Sequence, residues 1–106
     1  MLFDALSDII ISNNFIEKSN ESFWETFQKY QKEHCQEFNK IFVNYSSTNL
    51  TLTVNDVSFL AHNWPDHDYC CIVINSTIEY NNKIMGYYDV HYRLNGEVDD
   101  DFFVLY

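Results

Sequence analysis

The densest cluster of potential ligands in this chain is His62-Asn63-Trp64-Pro65-Asp66-His67-Asp68. Two imidazoles and two carboxylates are the donor types that hold a divalent metal. Their spacing matches no finger or zincin pattern, so they read as solvated loop residues. Trp64 is the side chain there best suited to anchor a partner, with Asp66 and Asp68 as an acidic patch beside it. A second acidic run, Glu97, Asp99, Asp100 and Asp101, adjoins Asn95-Gly96. A calcium loop needs oxygen ligands at alternate positions and a later bidentate Glu, and the order Asp-x-Asp-x-Asp-Gly is missing. The run reads either as a solvated loop or as a negative knob for a basic partner.

Nucleophilic and acid–base chemistry find little support. Cysteine chemistry needs a thiolate near a base. Cys35 follows His34 on a helix, so the two side chains diverge by about 100°. Cys70 and Cys71 are adjacent at the start of a strand, so they point to opposite faces, and one of them faces inward as a structural thiol. Asp89 and His91 could serve acid–base work, but a hydrogen-bonded sheet histidine is the expected role. Tyr87 and Tyr88 also point to opposite faces, which leaves at least one free to offer a rigid contact surface. No enzymatic activity, cofactor or metal is expected.

These residues must be positioned by the elements around them. Leu2, Leu6, Ile9 and Ile10 predict a first helix from about Leu2 to Ile11. Ser22 and Glu25 have the spacing of a capping box. Phe23, Phe27, Tyr30, His34, Phe38 and Ile41 then recur every three or four residues, predicting one amphipathic helix of nearly five turns, with about 3.6 residues per turn. From Ile41 to Tyr45 a strand is expected to begin. Leu50, Leu52 and Val54 alternate with threonines, and Val57 to Ala61 reads as a further short strand. Tyr69 to Tyr80 and Ile84 to Leu94 form strands joined at Asn81-Asn82, a hairpin signal because Asn tolerates positive φ. Asn95-Gly96 signals a second hairpin. A two-residue turn there sets Tyr92 opposite Asp99 and Val90 opposite Asp101, so a longer loop or a bulge is expected. The final strand is Asp101 to Tyr106. The fold class is α+β: two N-terminal helices packed on an antiparallel meander of about four to five strands, in a single domain spanning 1–106.

The bulk properties narrow the function classes. The 106 residues carry 16 acidic and six basic side chains, a formal charge of -10. Such a surface repels nucleic acid and anionic membrane and attracts basic surfaces at long range. An aromatic content of 18% supports a packed core and argues against disorder. With two glycines there is no dinucleotide or phosphate-binding loop. The odd number of cysteines makes a poor disulfide framework and fits reduced thiols in a cytoplasm. Asp4 and Asp8 interrupt the first apolar stretch, and nothing approaches the roughly 18 apolar residues of a membrane span.

In size, strong negative charge, a helix pair before an antiparallel sheet and the lack of a catalytic motif, the chain resembles a known class. That class is the small acidic immunity proteins of bacterial toxin–immunity systems, including contact-dependent growth inhibition. The resemblance implies a tight one-to-one complex with a basic toxin, such as a nuclease domain, and assigns no residue. The expected partner-binding residues, read from the charge pattern, are Glu97, Asp99, Asp100 and Asp101, with Trp64, Asp66 and Asp68 as a second patch. A phage-encoded mimic of nucleic acid would use the same electrostatics. A different class is a small cystatin-like or nuclear-transport-factor-like ligand-binding domain or enzyme. A deep pocket holding Asp89 and His91 would mark it, whereas a flat sheet with its acids outside would mark a binder.

Overall fold

Two polar breaks divide the N-terminal part into three helices, α1 (Leu2–Ser12), α2 (Phe15–Glu33) and α3 (Cys35–Ile41). The computed structural model describes residues 2–62 and 69–106. Asn14 adopts the left-handed conformation, φ 53°, which Asn tolerates because its short side chain bonds locally. The Asn13 side chain closes α1 by donating to the Ile9 carbonyl at 2.9 Å.

Helix α2 begins seven residues before the expected cap at Ser22. The missed signal is the spacing of Phe15, Ser19, Phe23 and Phe27, all buried, which lie one above another on a helix face. Ser22 is therefore inside the helix and caps nothing. The single long helix also fails: His34 leaves helical geometry at φ −124°, ψ 48°. That corner turns α3 back, so Phe38 and Phe42 each come within 5.4 Å of the Phe27 ring. No strand begins at Ile41. Phe42 and Tyr45 instead pack under a turn pinned by the Tyr80 hydroxyl, which accepts from the Ser46 amide at 2.9 Å.

The sheet has four strands, ordered β1-β2-β3-β4: β1 (Leu50–His62), β2 (Tyr69–Tyr80), β3 (Lys83–Arg93) and β4 (Val98–Leu105). A fifth strand does not form, because the two runs expected as separate strands are one. Asn55 is the extra residue of a bulge between Val54 and Asp56, and it restores the alternation after a one-residue slip. Asn81 and Asn82 both have positive φ, the geometry of a tight hairpin turn. At the second hairpin the loop is longer. Arg93 N–H reaches the Glu97 carbonyl at 2.8 Å, Gly96 takes φ 97°, and Asp99 is bulged, so Tyr92 faces Val98 while Val90 still faces Asp101.

Alternation sends Ile72, Ile74, Ser76, Ile78 and Tyr80 of β2, and Tyr88, Val90 and Tyr92 of β3, into the core beneath the helices. Tyr92 stacks on Phe15 at 4.7 Å. Burial, reinforced by Tyr88, Asp101 and Glu21, pushes its phenol up to about 12. Between pH 10 and 12 the unfolded chain loses this proton while the folded chain keeps it, so stability falls as pH rises. Tyr92→Phe is expected to remove this component of the alkaline transition and to be neutral or stabilising at pH 7. Urea midpoints at pH 7 and pH 11 check both statements.

Candidate functional site

The helices cover one face of the sheet and leave the other bare. On the bare face the register aligns two rows. Ser58, Val73, His91 and Asp100 form one, and Asp56, Asn75, Asp89 and Phe102 form the next. Beside them Thr77, Tyr87 and Val104 continue the surface. The β2 and β3 members are half-buried, and Asp56, Ser58, Asp100 and Phe102 at the flanks are exposed.

A polar ladder crosses three strands here. Asn55 donates to Asn75 at 3.3 Å and to Thr77, and Asn75 donates to the Asp89 carboxylate at 2.5 Å. The His91 and Phe102 rings meet edge to face at 5.3 Å. The result is an open surface whose polar groups are held in place by neighbours, with carboxylates and aromatic edges offered outward. Asp89 and His91 lie on this open face of the sheet, with Asp89 held by Asn75 and His91 against Phe102.

The expected acidic run does not act as one unit. Glu97 is exposed in the turn. Asp99 pairs with Arg93 at 3.3 Å. Asp100 lies on the bare face opposite His91, whereas Asp101 lies on the helix side of β4 opposite Val90. There the Tyr88 hydroxyl donates to Asp101 at 2.9 Å and also meets Ser22 Oγ at 2.7 Å. Alternation splits the run because a strand sends neighbours to opposite faces. Asp56, Asn75 and Phe102 were not singled out by sequence reasoning. The period-two pattern of β2 and β3 puts Asn75 on the same face as Asp89 and His91, whereas Asp56 on β1 and Phe102 on β4 join them only through register.

Trp64, Asp66, Asp68 and His67 lie outside the described residues, and with them the candidate metal cluster and the second acidic patch. Among the described residues no three His, Cys, Asp or Glu side chains gather as a metal site. Burial, with a smaller contribution from Cys70, pushes the Cys71 thiol up, the wrong direction for a nucleophile. Cys35 is exposed on α3, beside the Asn39 amide at 3.6 Å. On the helix side of the sheet, Ile16, Leu52 and Val54 line an open depression of about 380 Å³ with Glu17, Asn20 and Glu21. No helix among the described residues is long and apolar enough to cross a membrane.

No protein-family model, curated protein or solved structure matches this chain.

Proposed function

We propose that this protein binds and neutralises a basic protein partner, as an immunity-type inhibitor of a cationic toxin such as a nuclease domain, and that it acts in the cytoplasm. One observation carries the reading: four of the six basic side chains sit on the helices, so the acidic charge of the sheet is the less compensated. Lys18, Lys29, Lys32 and Lys40 lie on the helices. From residue 50 onward the basic side chains are Lys83 and Arg93, and Arg93 is tied to Asp99. The two aligned rows of the bare face hold Asp56, Asp89 and Asp100 and no Lys or Arg.

An open, helix-free face carrying carboxylates suits a basic protein surface better than a small molecule. Its field steers such a partner and speeds encounter. Phe102 and Tyr87 supply contact area within the charge, and aromatic anchors of this kind carry much of the affinity in interfaces. Of the acidic run, Asp100 faces the partner in this reading, with Glu97 and Asp99 at the edge of the face, while Asp101 lies on the helix side and adds only to the field. Trp64, Asp66 and Asp68 are further candidate contacts on residue type alone, two as charges and Trp64 as an anchor.

The test is an affinity capture from the source cells at low salt and at about 150 mM salt, where exposed charges are screened beyond about 8 Å. A single strongly basic protein is expected to be retained at both. Reversing Asp56, Asp89 and Asp100 to Lys together is expected to slow its association by about tenfold or more at low salt. Reversing Glu17, Glu25 and Glu33 on α2 is expected to change it far less. Equal effects of the two triple variants, or capture of salt-labile material alone, would overturn the proposal.

A further inference from the structure

Strand β4 is the last in the sheet order, and none of its eight residues is buried. Its outer edge carries backbone groups that no strand among the described residues pairs. One bond identifies them. The Tyr106 amide donates to the Met85 carbonyl at 2.8 Å, and the register from Asp100 to Leu105 is unbroken. In an antiparallel ladder every second residue turns both its N–H and its C=O to the neighbouring strand. Asp100, Phe102 and Val104 thus bond to β3, whereas Asp101, Phe103 and Leu105 point theirs outward. The other outer strand, β1, is interrupted midway by the bulge at Asn55, and a bulge bends an edge away from pairing.

Charge decides what this edge can accept. The outward amide of Asp101 donates to the Asp100 carboxylate at 2.8 Å, so Asp100 guards one end of the edge. From Phe102 to Leu105 the side chains are apolar and carry no guarding charge. An acidic strand would meet Asp100 as a like charge, and a neutral one would leave the guard in place. A Lys or Arg opposite Asp100 instead forms an opposite-charge pair across the strands, and it draws the carboxylate off the Asp101 amide. A second copy of this chain is the poorer occupant, because each copy carries a formal charge of -10 and the two repel.

We infer that the β4 edge takes up an extended segment of a protein partner by antiparallel strand addition, with a Lys or Arg opposite Asp100 and β-branched side chains opposite Phe102–Leu105. Main-chain bonds to Asp101, Phe103 and Leu105 give the affinity, and the cation gives the selectivity. Asp100 and Phe102 also lie on the bare face, so an added strand extends that face. The inference rests on the reading of a basic protein partner only for the source of the segment, and the edge can be tested without that partner.

The probe is the peptide acetyl-Val-Thr-Val-Thr-Arg-Lys-amide, titrated into the intact protein and followed by NMR. Added antiparallel, it sets Arg opposite Asp101 and Lys opposite Asp100. In the free protein the Phe103 and Leu105 amides are expected to exchange with solvent faster than those of Phe102 and Val104. With the probe they are expected to gain protection, with saturable shifts along β4. Methylating the backbone nitrogens of the second Val and the Arg removes two donors aimed at β4 and is expected to weaken binding about tenfold. Methylating both Thr nitrogens, which face away, is expected to cost far less. Asp100→Asn keeps an oxygen for the Asp101 amide and is expected to weaken binding about threefold. Absence of saturable shifts up to about 10 mM probe, well beyond a millimolar dissociation constant, would overturn the inference. So would equal losses from the two methylation patterns, equal binding of the same peptide ending in two Glu, or unchanged affinity in Asp100→Asn. A free protein that sediments as a dimer, with Phe103 and Leu105 already protected, would make a second copy the occupant and overturn it as well. Peptide binding without capture of any basic protein would sink the functional reading and leave the edge standing. Capture of a basic protein that leaves the β4 amides unprotected would do the reverse.

Discussion

Gly86→Ala is expected to pull β4 off the sheet. A Cβ at position 86 would lie 1.9 Å from the Val104 carbonyl oxygen and 2.9 Å from the Leu105 Cα. Both neighbours are backbone, so no flexible side chain can swing aside. The register makes the collision unavoidable, because Gly86 sits directly between Ile78 of β2 and Leu105 of β4. Overpacking of this kind costs about 1–3 kcal/mol and occasionally more, and a rigid backbone clash belongs at the upper end. The loss is expected to be local first. Amides of Val98–Leu105 should exchange faster, while β1 and β2 keep their protection, and the urea midpoint should fall with it. Gly96→Ala gives a contrast. Gly96 has φ 97°, and forcing a side chain there costs about 1–2 kcal/mol, but it strains a turn without parting two strands. Since β4 carries Asp100 and Asp101, Gly86→Ala is also expected to weaken capture of a basic partner. Uniform loss of protection across all four strands, or none, would mean that β4 does not depend on this close approach.

The parts of this fold that were legible in the sequence are those governed by local rules. Asn81-Asn82 marked its turn because Asn accepts positive φ, and the β-rich composition of Tyr69–Tyr80 marked β2 because β-branched and aromatic side chains suit a pleated strand. What misled were local signals that tertiary contacts override. Ser22 and Glu25 have the spacing of a cap, yet Ser22 serves better inside α2, where its hydroxyl meets Tyr88 across 66 residues of sequence. The apolar stripe ran on past His34, and nothing in its period revealed that the chain turns there to bring Phe38 over Phe27. Asn55 looked like a separator between two strands because a bulge interrupts alternation just as a loop does. The acidic run near the C-terminus was legible as charge, but its division between two faces depends on Asp100 and Asp101 lying within β4, where alternation parts them. The acids that share the bare face lie on three different strands, Asp56, Asp89 and Asp100. Their proximity is a property of register, which no short motif encodes.

Phe27→Ala is expected to be the most damaging single substitution, at about 3–5 kcal/mol. Phe27 is 1% exposed and joins all the layers. Its ring lies 5.4 Å from Phe23, 5.4 Å from Phe38 and 5.4 Å from Phe42, and 6.3 Å from Phe103 on β4. Truncation therefore opens a cavity where α2, α3 and the sheet meet, and the surrounding rings are too stiff to close it. Against a total stability of about 5–15 kcal/mol for a domain, that loss removes a large share, visible as a lower urea midpoint and earlier loss of near-ultraviolet dichroism. Phe102→Ala should behave in the opposite way. Phe102 is 44% exposed on the bare face and touches His91, so its truncation should scarcely move the midpoint. If the bare face is the binding surface, Phe102→Ala should nonetheless lose affinity for the captured partner, as a central aromatic contact does. The pair separates folding from binding: one phenylalanine holds the layers together and the other is spent on the surface. A Phe102→Ala variant that bound as tightly as the parent would remove the aromatic contact from the interface while leaving the charge argument to stand on Asp56, Asp89 and Asp100.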